Sequence, residues 1–136
     1  MAEVDVKQGQ SLEARRPLSP HLTVYRPMMT MMMSIAHRIT GAALYVGTLL
    51  LVWYLFAAAE GGSAFAFASW FLGSIIGQII LLGFTFALLH HFLGGIRHLI
   101  WDAGYGFDKQ GREYLAFGTL IASVTMTLII FIAAHL

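Results

Sequence analysis

The chain has 136 residues, 58% of them hydrophobic and 11% charged, with a formal net charge of +1. A soluble domain of this length carries about twice that charged fraction, so a water-exposed globular enzyme is excluded, and there is room for one domain. Cysteine is absent, which excludes disulfides, cysteine-ligated iron–sulfur clusters and thiolate-bound haem within the chain.

Residues 1–16 are polar, and Glu3, Asp5 and Glu13 make them unlike a signal peptide or an acid-poor transit peptide. Pro17, Pro20 and Pro27 follow, so segment 17–27 reads as extended or turn-rich chain at a membrane surface. A first span is expected over about 30–59, because Pro27 suits a helix start and no charge lies between Arg38 and Glu60. Its Met28, Met29, Met31, Met32 and Met33 suit either an irregular pocket or lipid. Gly61, Gly62 and Ser63 supply a turn. A second span is expected over about 68–100, then a loop at 102–113 carrying Gly104, Gly106 and Gly111. The third, over about 114–134, is free of charge from Tyr114 to Leu136.

The expected fold class is therefore an all-α membrane protein with three transmembrane helices. Residues 1–27 form an N-terminal segment and 28–136 the membrane domain. All eight basic residues lie before or at the start of span one (Lys7, Arg15, Arg16, Arg26, Arg38) or around the connection between spans two and three (Arg97, Lys109, Arg112). The positive-inside rule places both regions in the cytoplasm. The expectation is a bacterial inner-membrane protein with a cytoplasmic N-terminus and a periplasmic C-terminus.

His91 and His98 stand seven residues apart in the second span, so they share one helix face. Polar side chains in a span mark a candidate functional site, although interhelical bridging is the plainer role. At about 100° per residue, Gly73, Gly77, Phe84, Ala87 and Gly95 join that face, while His90 points away from it. Gly73 and Gly77 form a G-x-x-x-G pair that admits close approach of a helix or a flat ligand. Neutral imidazole is a good iron ligand, and haem sites in bundles are built from inward-facing side chains.

In span one, Ser34, Arg38 and Gly41 share a face, with His37 beside them. Arg38 either snorkels to water or turns inward, where its guanidinium suits a haem propionate or a quinone carbonyl. Counting from the outer ends of the two spans brings both clusters to one level in the cytoplasmic half of the membrane.

RPLSPHLTVY, then S-x-x-H-R-x-T-G (Ser34, His37, Arg38, Thr40, Gly41), then H-x-x-x-G-I-R-H-x-x-x-D (His91 to Asp102) resemble the cytochrome b membrane-anchor subunit of succinate dehydrogenase. The resemblance runs from about Arg16 to Gly106, and the third span matches in length and apolarity only. It implies a haem-binding helical bundle completed by a second small anchor subunit, with an iron–sulfur subunit and a flavoprotein subunit as further partners. By the same resemblance, His91 is an axial ligand of haem b, and the second anchor subunit supplies the other ligand. Ser34 and Arg38 line a ubiquinone site; His37 and Arg38 lie near the haem propionates. His98 supports the cofactor from behind, and Asp102 matches an acidic position at the cytoplasmic end. His90 stands where the family more often has tyrosine. Two alternatives stay open: a haem-free structural anchor, and a self-contained small cytochrome b ligated by His37 and His91.

Overall fold

The structure is a computed structural model that describes residues 25–136. The proline-rich start of the RPLSPHLTVY motif lies outside those residues. Four helices follow in order: α1 (Met29–Glu60), α2 (Gly62–Gly73), α3 (Ile75–Asp102) and α4 (Lys109–Ala133). α1, α3 and α4 are each long and apolar enough to cross a membrane, so the chain is an all-α, three-span helical bundle.

Gly61 alone separates α1 from α2, at φ +72, a left-handed value that glycine adopts without strain. α2 folds back beside α1 through Trp53, which meets Phe67 and Phe71 edge to face at 6.4 and 5.9 Å.

The helix expected over 68–100 is divided, and Ser74 is where it breaks. Its backbone is extended (φ −70, ψ 162), and its hydroxyl caps α3 by accepting from the Gly77 N–H at 3.2 Å. The break exposes carbonyls at the end of α2, which have no water to turn to inside a membrane. The Ser74 hydroxyl donates to the Phe71 carbonyl at 2.6 Å, and the Gln78 amide donates to the Leu72 carbonyl at 2.8 Å. Gly77 is needed because a Cβ there would collide with the Phe71 carbonyl and stand 2.6 Å from the Leu72 Cα. The G-x-x-x-G pair therefore does not line one continuous helix. Gly73 ends α2 with open space beside it, and Gly77 packs under the bend.

α3 packs between α1 and α4. Its buried positions are Gly77, Ala87, His90, Gly94 and Arg97, and α4 answers with Ala116, Thr119, Ser123 and Thr127. Small residues let the two backbones approach, where dispersion and hydrogen bonding rather than water exclusion hold helices together. The Thr119 and Thr127 hydroxyls return to their own helix, donating to Leu115 and Ser123 carbonyls at 2.7 and 2.6 Å. The Asp108 carboxylate caps α4 by accepting from the Gly111 N–H at 2.9 Å.

α1 is the most open span. Only 6% of its most apolar stretch is buried within the chain, against 22% for α4, so α1 presents the larger face to lipid or another subunit. Of its methionines, Met33 is buried while Met28 and Met32 face outward.

Candidate functional site

α1 and α3 meet at two glycines, and each glycine admits an imidazole from the opposite helix. A Cβ on Gly41 of α1 would stand 3.0 Å from the His91 Cε1; a Cβ on Gly94 of α3 would collide with His37, with Cε1 at 2.9 Å. The exchange brings the two rings face to face, centroids 3.9 Å apart and planes within 5°. His98 joins them two turns along α3 from His91, 5.5 Å from His37 and edge-on, and then meets Trp101 at 5.3 Å. The His37 Nδ1 is buried without a hydrogen-bond partner.

The His91 ring is held by one bond that fixes its chemistry. Its Nδ1 lies 3.1 Å from the His37 carbonyl oxygen. A carbonyl can only accept, so Nδ1 carries the proton and Nε2 keeps its lone pair. Among the described residues Nε2 makes no hydrogen bond, and the His91 side chain is half-buried. Metal-bound histidines are held in this way, one nitrogen donating to a carbonyl and the other free to ligate. The chain thus fits an axial haem position at His91.

His90 belongs to a different interface. It is 1% exposed, and its Nδ1 lies 3.2 Å from the Ser123 hydroxyl on α4. That hydroxyl donates to the Leu120 carbonyl at 2.9 Å, so His90 must be the donor in the pair. Its Nε2 is left buried and without a partner. Phe86 covers the ring at 5.4 Å. A histidine packed into α3–α4 has no route to a ligand lying against α1.

Ser34 and Arg38 are both exposed and lie one turn apart on α1, outside the imidazole stack. His98 and Asp102 are also exposed, at the same end of α3. The structure therefore brings His37, His91 and His98 together, and leaves Ser34 and Arg38 on an open face of the same level. Among the described residues no group of three His, Cys, Asp or Glu side chains forms a cage for a bare metal ion. The donor set suits axial ligation, in which the cofactor supplies the remaining bonds.

Three polar groups escaped the sequence reading: Arg97, Trp101 and Ser123. Arg97 is a topology signal and a motif position in the sequence, with no role of its own, yet it is 3% exposed, with its guanidinium carbon 5.3 Å from the Trp101 ring centre. Ala87, His90, Gly94 and Arg97 recur at helical spacing, and that spacing was the available signal for a second buried face.

Residues 13–132 match the family described as succinate dehydrogenase/fumarate reductase transmembrane subunit. Among similar proteins, the succinate dehydrogenase cytochrome b556 subunit of Paracoccus denitrificans is 44% identical over 131 residues, covering 93% of this chain and 96% of the relative. The cytochrome b556 subunit of Rickettsia prowazekii is 34% identical over 126 residues, covering 93% and 98%. The mitochondrial cytochrome b560 subunit of Sus scrofa is 41% identical over 122 residues, covering 85% and 72%.

Proposed function

The chain belongs to the succinate dehydrogenase/fumarate reductase transmembrane-subunit family, and from that premise we propose that it holds haem b through the His91 Nε2 and lines a ubiquinone site with Ser34 and Arg38. Membership makes it a non-catalytic membrane subunit of succinate:quinone oxidoreductase. Its partners in this reading are a flavoprotein subunit, an iron–sulfur subunit and a second small anchor subunit. The N-terminus lies in the cytoplasm, as the distribution of basic residues directs.

The observation that carries the haem assignment is the His91 Nδ1 to His37 carbonyl bond, which leaves Nε2 of the neutral ring as the nitrogen with a lone pair to give. Haem, when bound, supplies a one-electron centre near the quinone. Gly41 keeps the wall beside His91 low enough for the ring to stand there. His37 stacks on the ligand ring and fixes its plane, with Arg38 beside it as a donor toward propionate carboxylates, and His98 supports His37 edge-on. For His37 and His91 both to hold one iron, a ring nitrogen of each would have to face the metal, with the metal between the two rings. Rings stacked at 3.9 Å cannot do so, which favours a second ligand from the partner anchor over a bis-histidine site within this chain.

Quinone reduction consumes two electrons and two protons, so the site needs donors to the carbonyl oxygens and a route to water. Arg38 and Ser34 lie one turn apart on an exposed face and can donate to a single carbonyl oxygen. Asp102, exposed at the α3 terminus, is a candidate carboxylate for proton delivery from the cytoplasm. In purified complex, Arg38→Leu is expected to lower ubiquinone turnover at least tenfold, the loss of about one charge-assisted hydrogen bond. Succinate oxidation by a soluble dye should be unchanged. Normal ubiquinone turnover in this variant removes Arg38 from the site.

A further inference from the structure

The groove between α3 and α4 holds a cation that neither the haem nor the quinone reading uses. Arg97 is 3% exposed, and its Nε and Nη1 are enclosed without hydrogen-bond partners. An ionised side chain taken from water and left unpaired is strongly unfavourable. Trp101 offers its ring face at 5.3 Å, and a cation–π contact offsets only part of that penalty. Buried water would satisfy N–H groups but leave the charge unneutralised. Arg97 lines a cavity of about 170 Å³.

The shape of that cavity identifies what fills it. Away from Arg97 its walls are mostly apolar, with Leu93 and Ile96 on α3 and Leu115 and Gly118 on α4; Tyr114 also lines it, and the Thr119 hydroxyl is turned to the Leu115 carbonyl. It opens on the outer surface of the helix pair, where Ile96 is 39% and Tyr114 74% exposed. Arg97 and Tyr114 lie within two turns of the connection between the spans, at the depth where aromatic belts and lipid headgroups sit. A ligand with an anionic head and an apolar tail is complementary to both halves. Basic pockets between spans on the cytoplasmic side recognise such lipids, and a planar guanidinium matches a phosphate.

We propose that the α3–α4 groove binds one anionic phospholipid, its phosphate on the Arg97 guanidinium and an acyl chain along Leu93, Ile96 and Leu115. The site is distinct from the proposed haem and quinone sites: Arg97 lines the α3–α4 groove whereas His91 lies against Gly41 of α1, and Trp101 touches both Arg97 and His98.

The test is native mass spectrometry of the detergent-purified complex, comparing wild type, Arg97→Gln and Gly118→Leu. A Cβ on Gly118 meets nothing within 4 Å, so leucine there grows into the groove with Arg97 intact. Wild type is expected to retain one phospholipid through delipidation, and both variants to lose it. Added phosphatidylglycerol should rebind at least about tenfold more weakly to Arg97→Gln, and phosphatidylcholine should rebind poorly to both. Equal retention in wild type and Arg97→Gln overturns the proposal, as does equal rebinding of the two lipids. Loss of another subunit from Arg97→Gln with the lipid count unchanged also overturns it, assigning Arg97 to a protein carboxylate. Should Arg97→Gln fail to assemble, Gly118→Leu decides: an unchanged lipid count there refutes the site.

Discussion

Gly94 and Gly95 are neighbours on α3, and adding one methyl to each separates the imidazole stack from every other effect of losing glycine. A Cβ on Gly94 would stand 2.9 Å from the His37 Cε1 and closer still to Nδ1, so the ring must leave its place. A Cβ on Gly95 meets nothing within 4 Å. Both changes gain the same helix propensity, about 1 kcal/mol, which cancels in the comparison. What remains for Gly94→Ala is overpacking, about 1–3 kcal/mol, and loss of the 3.9 Å stack, about 0.5–1.5 kcal/mol. The expected difference between the variants is about 1.5–4.5 kcal/mol. At roughly 2 °C or more per kcal/mol, Gly94→Ala should melt at least about 3 °C below Gly95→Ala. Thermal unfolding of the purified complex, followed by circular dichroism, measures the gap. Coincident melting of the two variants would refute the placement of His37 against Gly94.

Two further variants test the same geometry. Ser123→Ala strands the buried donor on the His90 Nδ1, now 3.2 Å from the hydroxyl, and should destabilise the bundle by about 1–3 kcal/mol in the same melting assay. Because His90 faces α4, the haem spectrum of Ser123→Ala should be unchanged. Asp108→Ala removes the α4 cap, a 2.9 Å bond from the Gly111 N–H, and should lower stability by about 0.5–2 kcal/mol. Hydrogen exchange at residues 109–112 should then rise ahead of the rest of the helix.

The three spans were legible because each is an uncharged apolar run of membrane-crossing length, a property of local sequence alone. The break at Ser74 was not, since glycine and serine are common within continuous transmembrane helices. What makes Ser74 a boundary is tertiary: the Gln78 amide reaching the Leu72 carbonyl and the closeness of Gly77 to the α2 backbone. Helical phase correctly separated His91 from His90, and the structure sends those two rings to different helices. Phase from His91 put Gly95 on the histidine face and close approach at Gly73 and Gly77, whereas the tight contact with α1 is at Gly94. That contact depends on where α1 places His37, which the sequence of α3 does not contain. Arg97 was read as a charge that sets orientation, because a basic residue near a span end usually reaches water. Its burial follows from the packing of small α4 residues against α3.

The central claim is that His91, and not His90, ligates haem b through Nε2. Low-temperature electron paramagnetic resonance and reduced-minus-oxidised absorption of the intact complex, for His90→Ala and His91→Ala side by side, test it most directly. The account predicts a low-spin b-type signal retained in His90→Ala, and one that is lost or converted to high spin in His91→Ala. A retained low-spin signal in His91→Ala, or its loss only in His90→Ala, would contradict the account.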